Sequence, residues 1–222
     1  MPARKPQSRL RRIVLGADPI RRAIYILGMQ PAIWTFYAGL ANQLGADPMR
    51  TLEQTLGLWA LRFLIVALAI TPLRRLGGPS LVRWRRAIGL LGFYYAALHL
   101  TVYLVLDQGL NLAAIWADIV KRPYITIGML AFTMLVPLAI TSNAPMIRRL
   151  GAGAWQRLHR LVYVATAAAA IHFLLLVKTW PGEPIIYAAL IASLLLVRLW
   201  FYAQKRLWPR ARPLAKPARA EG

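Results

Sequence analysis

The sequence predicts an all-α membrane protein, a six-transmembrane-helix bundle, on two observations. The chain is 59% hydrophobic and yet carries a formal charge of +21. Soluble domains run at about 45–50% apolar residues, and a mean hydropathy of +0.49 points the same way. The second observation is placement: short arginine-rich connectors punctuate apolar stretches of span length. A nucleic-acid binder would gather its basic residues on a folded face. This arrangement excludes a nucleic-acid partner and makes membrane lipid the expected surroundings.

Six spans are expected, at 23–42, 55–72, 87–106, 124–141, 157–177 and 184–202, each close to the 20 or so residues that cross a bilayer. Gln30 and Pro31 interrupt the first, and Asn42 and Gln43 end it. The second carries Arg62, the one basic residue placed within a span. The third carries His99. The fourth carries Pro137, which membrane helices tolerate when neighbours satisfy the freed carbonyl. The fifth carries His159 and His172, and the sixth runs into a basic tail. Residues 1–22 form a basic N-terminal segment, 23–202 the transmembrane domain, and 203–222 a tail expected to be disordered, with Pro209, Pro213 and Pro217. Short loops leave no room for a soluble domain. The basic stretch before the first span has no small-residue cleavage site, so that span is expected to be retained.

Charge orients the bundle. Twenty-three of the 28 Lys and Arg fall at the N-terminus, between spans two and three, between four and five, and at the C-terminus. The opposite loops hold only Arg50, Lys121, Arg122 and Lys178, with five of the seven acids: Asp47, Glu53, Asp107, Asp118 and Glu183. The positive-inside rule then puts both termini in the cytoplasm. Trp84, Trp155, Trp180 and Trp200 fall near span ends, where amphipathic rings favour the headgroup zone.

Cysteine is absent. Disulfides, an iron–sulfur cluster held by this chain and covalent haem attachment are therefore excluded. Any metal centre rests on His, Met or carboxylates.

All three histidines lie in or at the edge of a span. Spans three and five run in the same direction. His172 follows His159 by 13 residues, and His99 follows Arg86 by 13. With Arg86 and His159 at the cytoplasmic boundary, His99 and His172 share one depth, about 19–20 Å in at 1.5 Å rise per residue. Two imidazoles at equal depth on facing helices are what bis-histidine haem ligation needs. Gly89, Gly92, Ala96 and Ala97 before His99, and Ala165 and Ala167 to Ala170 before His172, leave room for a flat macrocycle. Interhelical hydrogen bonding and proton handling remain equally open for these histidines. A zinc site lacks the Cys, Asp or Glu that would complete its shell.

His159 stands apart. It sits beside Trp155, Arg157 and Arg160, and the matching depth on span three offers Trp84, Arg85 and Arg86 rather than a histidine. A second haem, a flavin contact and a cofactor-free interfacial role all remain open, with Arg85 and Arg86 as candidates for a propionate or a flavin phosphate. Arg62, near the depth of the His99–His172 pair, could meet a haem propionate or snorkel to the headgroups.

The runs TPLRRL (71–76), RRAIGL (85–90), LHLTVY (98–103), KRPYITIGML (121–130), PLAITS (137–142) and WQRLHRLVY (155–163) together resemble the MsrQ family, formerly YedZ, over about residues 23–202. That family belongs to the ferric-reductase-like transmembrane superfamily, in which paired histidines on two helices hold stacked b-type haems. The resemblance implies a haem b-containing electron-transfer subunit in a bacterial cell inner membrane. Its partner would be MsrP, a periplasmic molybdopterin enzyme that reduces methionine sulfoxide in proteins, and its donor a cytoplasmic flavin reductase or quinol. Sulfoxide reduction would take place on the partner. His99, His159 and His172 match the family's histidines as haem iron ligands. FMN, attributed to the family, carries over without residues. Two departures bear on function. Span three has one histidine rather than two, so a partner for His159 falls near Arg85 or Arg86 and the count of haems stays at one or two. No dehydrogenase domain for FAD and NADPH follows span six, so a separate donor is required.

Two rivals follow from the same residues. A self-contained ferric or quinone reductase differs only in its partner. A small transporter or proton channel would want an internal inverted repeat or an acid within a span, and the sequence offers neither.

Overall fold

The computed structural model describes residues 18–176 and 182–207, and every regular element among them is helical. Helix α1 is Pro19–Leu40 and α2 is Pro48–Arg75. Helix α3, Arg85–Thr101, runs on without a break into a π-helical turn, Val102–Asp107. The short α4, Leu112–Lys121, lies in the following loop. Then come α5, Pro123–Ile140, α6, Ala144–Leu150, α7, Ala152–Leu158, α8, Leu161–Leu176, and α9, Gly182–Leu207.

The starts of these helices are written locally. Asp18, Asp47, Asn111 and Asn143 each accept a hydrogen bond from a backbone N–H of the first turn, at 2.9–3.1 Å. Proline follows within two residues of three of these caps, where its missing N–H costs nothing. Asp18 also accepts from the indole N–H of Trp84 at 3.1 Å, tying the start of α1 to the start of α3.

Among the described residues, five helical stretches are long and apolar enough to cross a membrane: Pro48–Arg75, Arg85–Asp107, Pro123–Ile140, Ala152–Leu176 and Gly182–Gln204. The chain is thus a multi-pass membrane protein. These five contain or closely overlap the expected spans two to six. The first expected span corresponds to α1, which has span length at 22 residues, but Gln30 and Pro31 dilute its apolar character. Helix α9 continues to Leu207; residues 208–222 of the expected tail and residues 1–17 lie outside the described residues.

Two helix pairs form the frame, α2 against α3 and α5 against α8. Helix α1 packs on α2 and α3, and α9 closes the other side against α8 and α2. The interior is layered. Leu52, Leu56, Ala60, Tyr95 and Val102 pack with Ala32 of α1 at one end. Leu64, Leu135, Leu138 and Ala165 join the two pairs in the middle.

Prolines and inserted side chains explain how the outer helices attach. Pro72 has no N–H, so the carbonyl of Leu68 loses its partner four residues on. The Arg198 guanidinium of α9 donates to that carbonyl, and its other terminal nitrogen donates to the Tyr163 hydroxyl of α8 at 3.0 Å. One side chain therefore binds three helices together. On the far side the Tyr95 hydroxyl inserts into α1 beside Pro31. It donates to the Gly28 carbonyl at 2.8 Å and accepts from the Ala32 N–H at 2.9 Å. A side chain lodged in the helical ladder is a recognised cause of bending, and Tyr95 is fully buried there.

Replacing Arg198 by Leu would leave the Leu68 carbonyl and Tyr163 hydroxyl without their partner inside the bundle. The expected cost is about 1–3 kcal/mol, read as a lowered thermal unfolding midpoint in detergent, with Arg198→Lys recovering only part of it.

Candidate functional site

Two cavities lie between the helix pairs. One, of about 260 Å³, is lined from α2, α3, α5 and α8, and both His99 and His172 face it. Their rings have centroids 6.3 Å apart and planes at 73°. The equal depth expected from register is thus matched by side chains that turn toward each other.

Each imidazole is held from behind. His99 Nδ1 lies 2.9 Å from the Glu53 carbonyl of α2, and His172 Nδ1 lies 2.6 Å from the Tyr124 carbonyl at the start of α5. A carbonyl only accepts, so Nδ1 carries the proton in both rings and Nε2 keeps its lone pair. Among the described residues neither Nε2 has a hydrogen-bond partner. This is the tautomer a metal-binding histidine uses, its far nitrogen fixed by a backbone acceptor.

The spacing fits one metal ion between the rings. A nitrogen–metal bond of about 2 Å on each side, plus about 1 Å from each nitrogen to its ring centre, separates the centroids by about 6 Å. The walls fit a flat apolar ring: Ala60, Ala96, Ala131 and Ala169 line the cavity, with Gly57 and Gly128. No group of three or more His, Asp or Glu gathers among the described residues, so no ordinary divalent-ion shell competes. The histidines and lining residues fit haem.

Charge sits at one end of this cavity. Arg50, Glu53, Asp107 and Arg122 line it there, with Tyr103 and Tyr124. Asp118 accepts from the Tyr103 hydroxyl at 3.2 Å and pairs with Arg122 at 3.1 Å. The Tyr124 hydroxyl, 3.4 Å from the Arg122 guanidinium, and then Asp118 hold that cation still more firmly protonated than usual.

Arg62 lies elsewhere. Of its two expected settings, a propionate or the headgroup zone, the cavity is not the one it faces. Its Nε donates to the Tyr187 hydroxyl at 2.8 Å, its guanidinium lies 4.9 Å from the Trp59 ring centre, and Glu183 is 3.9 Å away. It anchors α9 to α2. Arg50 and Arg122 take the places by the cavity. The sequence held both among its opposite-face charges, but nothing in composition distinguished them from other loop cations.

The second cavity, of about 550 Å³, opens toward the other end of the bundle. Here the structure brings His159, Arg85 and Arg86 together, with Arg83, Arg160 and Trp155. His159 sits at the break between α7 and α8. Its ring stacks on Trp155 at 3.8 Å, its Nδ1 donates to the Trp155 carbonyl at 3.0 Å, and its Nε2 is 3.4 Å from the Ser142 hydroxyl. No second imidazole faces it. Four arginines around an aromatic-lined space make a site for an anionic, planar group.

Leu64 and Leu135 line both cavities. Beside them Phe93 of the second cavity stacks on Phe132 of the first, with centroids 5.7 Å apart and planes at 15°. The partition is apolar throughout.

Comparison with known proteins adds the family. Residues 56–170 match the model of the "Ferric reductase like transmembrane component". Relatives from Brucella ovis, Brucella canis and Brucella abortus are each described as "Protein-methionine-sulfoxide reductase heme-binding subunit MsrQ". Each is 61% identical over 176 residues, covering 79% of this chain and 80% of its own length.

Proposed function

The chain belongs to the MsrQ family of protein-methionine-sulfoxide reductase heme-binding subunits, among the ferric-reductase-like transmembrane components, and from that membership we propose that it is a haem b-containing electron-transfer subunit of a bacterial inner membrane. It takes electrons at the cytoplasmic face from a flavin reductase or from quinol. It delivers them to a periplasmic molybdopterin-dependent reductase, MsrP, on which methionine sulfoxide is reduced. Both termini lie in the cytoplasm.

One observation carries this reading: two imidazoles 6.3 Å apart whose Nδ1 atoms are engaged on backbone carbonyls. Bound between them, haem b supplies reversible one-electron exchange at iron. The rest is the work of the chain. His99 and His172 would hold the haem iron through Nε2, and the alanines and glycines of α2, α3, α5 and α8 would leave room for its ring. Arg50 and Arg122 lie where propionates would leave the bundle, on the face assigned to the periplasm. The leucine and phenylalanine partition keeps water from between the two cavities.

The second cavity is the proposed point of entry. His159 would serve there as a ligand or contact for a second cofactor, either a further b-type haem or FMN, with Arg85 and Arg86 holding a propionate or phosphate. The same basic rim suits docking of an acidic donor. The arginine cluster and the Trp155 stack support this assignment.

Protein purified from haem-replete cells is expected to show the Soret band and reduced α-band of low-spin b-type haem; a colourless preparation would sink the proposal. His99→Ala and His172→Ala should each abolish the low-spin signal of that site, whereas His159→Ala should retain it. Loss on His159→Ala alone would mean that the iron lies in the other cavity. The double variant Arg50→Gln, Arg122→Gln should release haem to apomyoglobin about fivefold more readily, as expected for about 1 kcal/mol from partly exposed charges, with Arg62→Gln unchanged.

A further inference from the structure

The two acceptor carbonyls share a feature that the spans alone would not require. Four residues after Glu53 stands Gly57, and four residues after Tyr124 stands Gly128. In an α-helix the carbonyl of residue i bonds the N–H of i+4, and the side chain at i+4 rises beside that same carbonyl. This molecule displays the proximity repeatedly. Thr35, Thr101, Thr133 and Thr166 each turn a hydroxyl back onto the carbonyl four residues earlier, at 2.7–2.8 Å. A glycine at i+4 vacates that place, and here an imidazole from the facing helix occupies it.

The clearances are tight. A Cβ on Gly57 would lie 3.3 Å from His99 Nδ1 and 3.4 Å from its Cε1. On Gly128 it would lie 2.8 Å from His172 Nδ1 and 2.9 Å from its Cε1. Neither glycine has positive φ, so backbone conformation is not what calls for them. The neighbouring ring is.

We propose that Gly57 and Gly128 are positioning residues for the two axial histidines: each uncovers one helical carbonyl to a second hydrogen bond and so fixes the protonated nitrogen, the ring plane and the basicity of the ligand. The inference rests on haem ligation by His99 and His172. A carbonyl on Nδ1–H raises the donor strength of Nε2, and loss of such an outer-shell partner typically costs about 10–100-fold in metal affinity. Stronger imidazole donation favours the ferric state, so these seats hold the reduction potential down. Each ring is seated on its own carbonyl, and the two planes stand at 73°.

The test compares Gly57→Ala, Gly128→Ala and Gly153→Ala, the last having open space around its Cβ position. Each holoprotein is examined by haem content, ferric EPR and redox titration. Gly57→Ala, with the looser contact, should retain low-spin haem while its midpoint potential rises and its EPR anisotropy changes. Gly128→Ala should lose haem about tenfold or more, or turn high-spin. Gly153→Ala should match wild type. Wild-type protein is also examined by proton ENDOR after transfer to D₂O. Both Nδ1 protons should exchange far more slowly than one open to water; immediate exchange of both would overturn the inference even if the variants failed to fold. Low-spin haem in all three variants with potential and EPR unchanged would overturn it too, leaving the haem assignment standing. Absence of low-spin haem from wild type would instead overturn the assignment itself.

Discussion

Two hydrogen bonds organise the interior: His99 Nδ1–H to the Glu53 carbonyl, and His172 Nδ1–H to the Tyr124 carbonyl. Each joins a histidine-bearing helix to the neighbour it packs on most extensively, α3 to α2 and α8 to α5. The same two bonds fix which nitrogen faces the cavity. Packing and ligand presentation are therefore one constraint here. Sliding either helix along its partner by one residue would carry the imidazole off its carbonyl and spoil both at once. The frame is stiffened at its margins by analogous means, since Tyr95 and Arg198 also bind neighbouring helices through main-chain carbonyls.

Much of this was legible in the sequence because membrane crossing imposes a coarse, regular signal. Apolar length gave five of the six expected spans, and the shared 13-residue offset paired His99 with His172. Finer features were not legible for definite reasons. Gly57 and Gly128 read as ordinary small residues, and only the position of a side chain on another helix gives them meaning. The setting of Arg62 stayed open in the sequence because depth along a helix says nothing of azimuth. It shares the membrane half of the cavity but turns to Tyr187 and Glu183. The π-turn at Val102–Asp107 and the amphipathic α4 leave no trace in a span-length window.

The two cavities differ in a way that follows from this reasoning. Around His99 and His172 the chain presents paired nitrogens and small apolar walls, with charge confined to one end. Around His159 it presents a single imidazole stacked on Trp155 and several cations. The first arrangement suits a ring gripped through its centre, the second a group gripped through its anionic edge. One fold offers both because the two cavities are separated by the layer to which Leu64 and Leu135 belong, and these two side chains line each of them.

That middle layer has an electrical consequence. An apolar septum of Leu64, Leu135, Phe93 and Phe132 holds no charged or hydrogen-bonding side chain that could reorient in a field, so part of the potential across the membrane would fall across it. A charge crossing the whole bilayer exchanges about 2.3 kcal/mol per 100 mV with the field. In the proposed direction an electron leaves a negative compartment for a positive one and is driven by that field. The same septum deprives a proton of the solvated path it would need to follow. Respiring cells would then supply part of the driving force for repair outside the membrane, with four side chains acting as the dielectric.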